Sequence, residues 1–443
     1  MEKKFEVIVI GAGFSGLAAG IALKEKGISS CILEARSRVG GRVETKWLDN
    51  ELQIDLGGQW IGPTQTRMYE LVEKYNIKTF PTQLFGKGQY NYNGALHEQE
   101  PTEISAIFDL IDQLAANINL AEPYLSLDID SQDRITLAQW LEQNIEEVEI
   151  ASYVGRILAG GLLASDAGEV SLFQMLYYIA SGNGIRSLLN AKGGAQQDRI
   201  FGGPQAIANA MAQEYGETLY TDHAVSSIEK VEESYCVTTK HGEQFFAQDI
   251  IITLPPSVVN SKIDFQPKLP IWKKKTLQNI LQGNAAKYHA VYDRPFWREL
   301  GLSGQLNQSR GWIMESVDNS VPGNPEGVLT FFVYGIDTVQ FQKLSENERR
   351  NILLNELAHV FGEQALSPIE LLTQDWSEEI YTDGCFSGHF VPGGFIKYGE
   401  YLRKSVDRIH WAGAETAEVW NGYFEGAVRS GEREAVKIIN KKR

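Results

Sequence analysis

Cysteine is scarce in this chain: Cys31, Cys236 and Cys385 are the only three in 443 residues. An odd, widely spaced trio excludes a disulfide framework and offers no zinc-ligand spacing. Basic charge is also in deficit. Against 57 Asp and Glu stand 41 Lys and Arg, a formal net charge of −16. Nucleic-acid binding needs a basic face and is excluded as an expectation. The acidity suits attraction of cationic substrates and plain solubility equally well. No apolar run reaches the roughly 18 residues of a membrane span, and Met1-Glu2-Lys3-Lys4-Phe5 lacks the shape of a signal peptide. These absences predict a soluble cytoplasmic protein, with neither metal, membrane nor nucleic acid as partner. The length suggests two or three domains.

What the chain does have begins almost at once. Val7-Ile8-Val9-Ile10 reads as a strand buried on both faces, and Gly11-Ala12-Gly13-Phe14-Ser15-Gly16 follows it as G-x-G-x-x-G. Gly11 permits the turn, Gly13 lets backbone approach a pyrophosphate, and Gly16 lets helix and strand pack closely. The free N–H groups of the helix start then face phosphates. A second apolar run, Cys31-Ile32-Leu33, ends in Glu34, eighteen residues after Gly16. A carboxylate there accepts hydrogen bonds from an adenosine ribose and repels a 2′-phosphate. A dinucleotide is expected here.

Ala35-Arg36-Ser37-Arg38-Val39-Gly40-Gly41-Arg42 adds a glycine pair flanked by arginines, which fork onto phosphate oxygens. Ile54-Asp55-Leu56-Gly57-Gly58-Gln59-Trp60-Ile61-Gly62 is a further glycine-rich stretch. Together these segments resemble the N-terminal half of the flavin-dependent amine oxidases, the monoamine and polyamine oxidase family. The resemblance implies that the dinucleotide is FAD. It further implies that Arg42 contacts the pyrophosphate and that Gly57, Gly58, Gln59 and Trp60 run past the isoalloxazine.

Farther along, Thr64 is placed to cap a helix carrying Met68, Leu71 and Val72. Ile104, Ile107, Phe108, Ile111, Leu114 and Ile118 predict one amphipathic helix, and Leu137, Trp140, Leu141 and Ile145 a second. Met175-Leu176-Tyr177-Tyr178 reads as core packing. Residues 218–256 alternate as an antiparallel meander, ending in the buried strand Asp249-Ile250-Ile251-Ile252. His223 and His241 read as turn residues.

Lys287 opens an alternating apolar strand, where an ammonium is disfavoured without a partner. The segment from Lys287 to Pro295-Phe296-Trp297 resembles the family's lysine segment, which implies a lysine holding a water against flavin N5. Asp375 to Gly394 resembles the monoamine oxidases. There Trp376 matches a ring-packing tryptophan and Cys385 the cysteine that bonds the flavin 8α carbon. Gln196 matches a substrate-pocket glutamine, and Val225 a residue whose backbone meets the adenine. Gly413-Ala414-Glu415 and Asn421-Gly422-Tyr423 match the second FAD signature, with Glu415 on a ribitol or pyrophosphate group. Phe386 and Tyr423 match an aromatic pair bordering the flavin face, Phe386 standing where the family has tyrosine.

The expected fold is α/β: a doubly wound, Rossmann-type FAD domain (1–84, 199–262 and 375–443) with an inserted α+β substrate domain (85–198 and 263–374). The expected reaction is oxidation of a small-molecule amine to the imine, with O2 reduced to H2O2, in a homodimer. FAD covalently linked through Cys385 is part of the expectation. Among alternatives, an L-amino acid oxidase requires an arginine clamp, for which Arg186 and Arg310 are the candidates. A lipid or porphyrin desaturase and a non-catalytic flavin-binding module complete the set.

Overall fold

The computed structural model describes residues 3–442. Val7–Ile10 lies in the middle of a five-stranded parallel sheet. Across it the order is Leu219–Tyr220, Ser30–Leu33, Val7–Ile10, Asp249–Ile252, Ile409–Trp411. The three central strands are buried at every residue. Burial on both faces is why they read as unbroken apolar runs rather than as alternation.

Helices cover one face. Val7, Val9, Ile32 and Ile251 pack with residues of Phe14–Glu25, Gly203–Tyr215 and Phe424–Lys441. A second sheet covers the other face: Ile8, Ile10, Ile250 and Ile252 meet Val225, Ile228, Val237 and Phe245. Of the span 218–256 foreseen as a meander, Val225–Val231, Ser234–Thr239 and Gln244–Ala247 form this cover, while Leu219–Tyr220 and Asp249–Ile252 lie in the parallel sheet. First and last helices approach closely because Gly431 has no side chain. A Cβ there would lie 1.9 Å from the Ser15 carbonyl oxygen.

The helix Thr66–Lys74 buries Met68, Leu71 and Val72 as its spacing predicts, but Thr64 does not cap it. The Glu425 carboxylate of the C-terminal helix does, accepting from the Arg67 and Met68 amides at 3.2 and 3.0 Å. That cap lies 357 residues away in the chain, so no local pattern announces it.

A seven-stranded sheet forms the second body, ordered Glu370–Asp375, Ala285–Tyr292, Gly327–Tyr334, Glu315–Asp318, Leu302–Gln308, Lys87–Tyr92, Ala95–His97. The helices Ile104–Ala115, Leu137–Asn144, Val148–Gly155 and Leu172–Ser181 build a separate core beside it. Ile104, Phe108 and Ile111 are buried there, while Ile118 falls beyond its helix. Among the described residues, no helix is long and apolar enough to cross a membrane.

The last parallel strand carries a buried charge cluster. His410 Nε2 lies 3.3 Å from Asp249 Oδ1, and its Nδ1 lies 3.6 Å from Glu434 Oε2. Arg408 pairs with Asp249, and Arg433 and Lys437 pair with Glu434. Burial alone would depress the imidazolium, but the hydrogen bond to Asp249 and the nearby Glu434 carboxylate carry its pKa above the ordinary value. Stability from this histidine is therefore complete below the unfolded pKa of about 6.5 and fades as pH rises through the folded value. In urea denaturation, His410→Leu is expected to cost about 3 kcal/mol at low pH, where the charged histidine is paired. The loss should shrink at alkaline pH; equal losses at both extremes would contradict a charged cluster.

Candidate active site

One continuous cavity, enclosing about 1880 Å³ of atom-free space with its mouth, runs from the C-terminal edge of the parallel sheet to the seven-stranded sheet. Its first end is built by the glycine turn. Gly11 has φ +103°, and a Cβ on Gly16 would sit 1.9 Å from the Gly11 carbonyl oxygen. At Gly13 the nearest atom to such a Cβ is 4.0 Å away, so the backbone stands open to the cavity. The helix Phe14–Glu25 starts without a side-chain cap, leaving its positive end for an anion. Glu34 is buried, with Oε2 accepting from the Ala12 amide at 2.8 Å and Oε1 from Arg36 at 2.9 Å. Those bonds aim the carboxylate while leaving lone pairs unused.

Most expected residues reach the lining: Gly11, Gly13, Phe14, Ser15, Glu34, Ala35, Arg36, Gly41, Arg42, Gly57, Gly58, Gln59, Trp60, Val225, Trp376, Cys385, Gly413, Ala414, Gly422 and Tyr423. Lys287, Phe386 and Gln196 line the same cavity. Three of the expected residues do not line the cavity. Ala12 and Gly16 stay outside the lining, because one donates its amide to Glu34 and the other packs on Gly11. Glu415 is buried beneath the wall, in a two-pronged pair with Arg42 at 2.6 and 3.2 Å. Its burial alone would raise the pKa; the Arg42 charge and hydrogen bonds instead hold the carboxyl below the usual range. Arg42 also donates to the Phe386 carbonyl at 2.7 Å. The pair thus anchors one aromatic wall from below.

At the far end, the Trp376 indole N–H donates to the Leu56 carbonyl at 3.0 Å. Gly57 must be glycine here, since a Cβ would meet the Arg42 carbonyl at 2.3 Å and Trp376 at 3.0 Å. Trp60 lines the cavity with a buried indole N–H that no protein acceptor meets. Lys287 is buried on the strand Ala285–Tyr292. Its Nζ donates to the carbonyls of Asp55 and Gly57, at 2.6 and 2.8 Å, and to Gln59 Oε1. As an ammonium, it has each of its three protons engaged. Burial pushes its pKa down to about 7, so near neutrality the amine form appears, with two donors and one lone pair.

Four of the lining residues that escaped the sequence bear on the aromatic end. Tyr178 packs in the helical core as expected and also borders the cavity, its ring 5.9 Å from that of Tyr423. Tyr334 stands edge-on to Phe386 at 5.5 Å. Phe332 joins them. Glu315 sits directly across from Phe332 in the sheet and accepts from the Tyr334 hydroxyl at 2.7 Å. The only available signal was a carboxylate on an alternating strand after Met314, and facing could not be told from that. Arg186 and Arg310 stay outside the lining, paired with Asp109 and Glu149.

The family profile described as flavin containing amine oxidoreductase matches residues 14–439. The chain belongs to that family. A relative from Dictyostelium discoideum, probable flavin-containing monoamine oxidase A, is 32% identical over 100% of this chain and 99% of its own length. Among solved structures, putrescine oxidase bound to putrescine superposes with a TM-score of 0.95 at 31% identity, covering 99% of this chain and 100% of that one. Cyclohexylamine oxidase from Brevibacterium oxydans superposes at 0.94 and 30%, with the same coverage.

This amine oxidase is therefore a flavoenzyme whose cofactor is FAD, in the α/β fold expected of it. The cavity fits that group: an open glycine turn and uncapped helix start at one end, a donor without acceptor and aromatic walls at the other. Replacing Glu415 by Gln removes the charge that balances buried Arg42 and is expected to cost about 3 kcal/mol of stability. Flavin absorbance per chain should fall several-fold with it; full flavin content and unchanged stability would refute the anchoring role.

Proposed function

We propose that this amine oxidase acts on amines carrying a second cationic group, with O2 as acceptor and H2O2 as product. The observation carrying that substrate class is Glu315, a carboxylate in the cavity wall beside Phe332, Tyr334, Phe386 and Tyr423. Burial raises its pKa to about 7, the Tyr334 hydrogen bond opposing that rise. An arriving ammonium pulls such a group toward its ionised form. A charge-assisted contact of this kind contributes about 1.5–3 kcal/mol.

Bound FAD supplies the two-electron acceptor for the carbon–nitrogen bond. In this proposal Gly11, Gly13 and the start of the first helix hold its pyrophosphate, Glu34 its ribose, and the Val225 backbone its adenine. Gly57, Gly58, Gln59, Trp60 and Trp376 border the ring. Phe386 and Tyr423 stand as the aromatic walls past which the amine nitrogen is led, attracting the entering cation by about 0.5–2 kcal/mol. Gln196 offers an amide at the wall. As the amine, Lys287 offers its lone pair to a water beside the ring and can take up a proton; as the ammonium, its three protons are held by protein oxygens. Cys385 lies in the wall as the attachment atom. Burial pushes its thiol up to about 12 against the opposing Arg42 charge, so it is protonated in the free chain and attachment follows cofactor binding.

A peroxide-release screen across amines tests the whole. For a diamine, Glu315→Leu should lower kcat/KM by about 10–100-fold, with little change for a monoamine of similar length. In the unaltered enzyme, diamine kcat/KM should decline as pH falls below about 7, the carboxylate becoming neutral. Equal losses for both amines would remove the second-cation site. Lys287→Met should slow flavin reduction or reoxidation strongly in stopped-flow traces; unchanged traces would remove its role. Acid precipitation should leave yellow colour with the polypeptide, and colour in the supernatant would exclude attachment at Cys385.

A further inference from the structure

The carboxylate nearest Lys287 does not pair with it. Asp55 offers Lys287 only its backbone carbonyl, while its side chain is taken by others. Asp55 Oδ2 accepts from Arg199 Nη2 at 3.0 Å, and Oδ1 accepts from the Thr45 hydroxyl at 2.9 Å. Arg199 and Asp55 are 2% and 0% exposed as side chains. A second Arg199 nitrogen, Nη1, donates to the Asn319 carbonyl at 2.6 Å. The side chain of Asn319 in turn grips Gln59, at 2.8 and 3.2 Å, and Gln59 is the third acceptor of Lys287. Arg199 therefore reaches Lys287 along two paths, one through Asp55 and one through Asn319 and Gln59.

We propose that Arg199 is a positioning residue for Lys287: it monopolises the one nearby carboxylate and leaves the lysine only neutral oxygens. Two buried cations then share one anion. A guanidinium does not release its proton in proteins, so any deprotonation falls on the lysine. His289, two residues along the same strand, is fully buried and bonded through Nδ1 to the Thr330 hydroxyl at 2.7 Å. Burial and the neighbouring Lys287 and Arg199 charges hold it neutral, and Cys385 is the remaining titratable group facing the lysine. Neither supplies a compensating negative charge near neutrality. The depressed basicity of Lys287 accords with this arrangement. Functionally, Arg199 sets the pH at which the lysine acquires the lone pair needed to hold a water.

This inference rests on the placement of Lys287 beside the bound flavin proposed above. The test titrates the holoenzyme across the neutral range with two readouts: the rate of flavin reoxidation, and the visible spectrum of the oxidised flavin without substrate. Glu315 titrates in the same range, so every protein compared carries Glu315→Gln; that background should show one transition near neutrality in both readouts, absent when Lys287→Met is added. Arg199→Gln frees the Asp55 carboxylate and should move the transition upward by about one pH unit, tenfold in proton affinity. Arg199→Lys should leave it near its original position. Should Arg199→Gln fail to fold, Asp55→Asn provides the opposite shift, downward, by removing the anion. A transition that survives Lys287→Met overturns the role of Lys287 itself. One lost in Lys287→Met yet unmoved in Arg199→Gln or Asp55→Asn overturns the role of Arg199.

Discussion

A buried guanidinium and carboxylate, Arg42 and Glu415, meet across 373 residues of chain. On this contact the site depends, because it joins three segments that arrive from different directions. Arg42 ends the second glycine pair, Glu415 follows the last parallel strand, and the Phe386 carbonyl hangs from the same guanidinium. The Gly388 amide adds a further bond to Glu415 at 3.2 Å. Taking both charges out of water is expensive, and only this density of bonds compensates for it. The result is a rigid floor beneath the chamber, with Gly57 pressed against Arg42 on one side and Phe386 fixed on the other.

Lys287 performs the corresponding task between the two sheets. Its strand belongs to the seven-stranded sheet, yet its acceptors belong to the glycine-rich stretch that begins at Asp55. A backbone with this many glycines has little side-chain packing to hold it. An ammonium bonded to two of its carbonyls and to Gln59 restrains it instead. The same restraint places a group of altered basicity in the cavity wall. Arg199, buried one layer farther back, connects that basicity to the packing of the core.

The chamber has an electrostatic asymmetry. One end gathers dipoles and amides suited to phosphates; the other is aromatic, with a single carboxylate at Glu315 and a cation at Lys287. Aromatic walls and one buried acid suit a small organic cation better than a free carboxylate substrate. Arg186 and Arg310, the arginines considered as carboxylate clamps, are committed to acidic partners elsewhere.

The sequence by itself determined the elements whose chemistry is local. Val7–Ile10 with its glycine turn, Glu34 at the end of the next strand, and the helical stripes of Ile104, Phe108 and Ile111 each announce themselves within a few residues. Periodicity and turn stereochemistry act over that range. Tertiary structure alone decided which side chains share one space. Glu315 and Tyr334 come together only through the pairing of two strands, and Tyr178 borders the cavity although its helix is apolar nearly all round. Glu425 caps a helix from the opposite end of the chain, and Arg199 meets Asp55 across 144 residues. Such contacts are set by packing between elements, where the partner's identity is fixed by position in space and leaves no periodic trace in the chain.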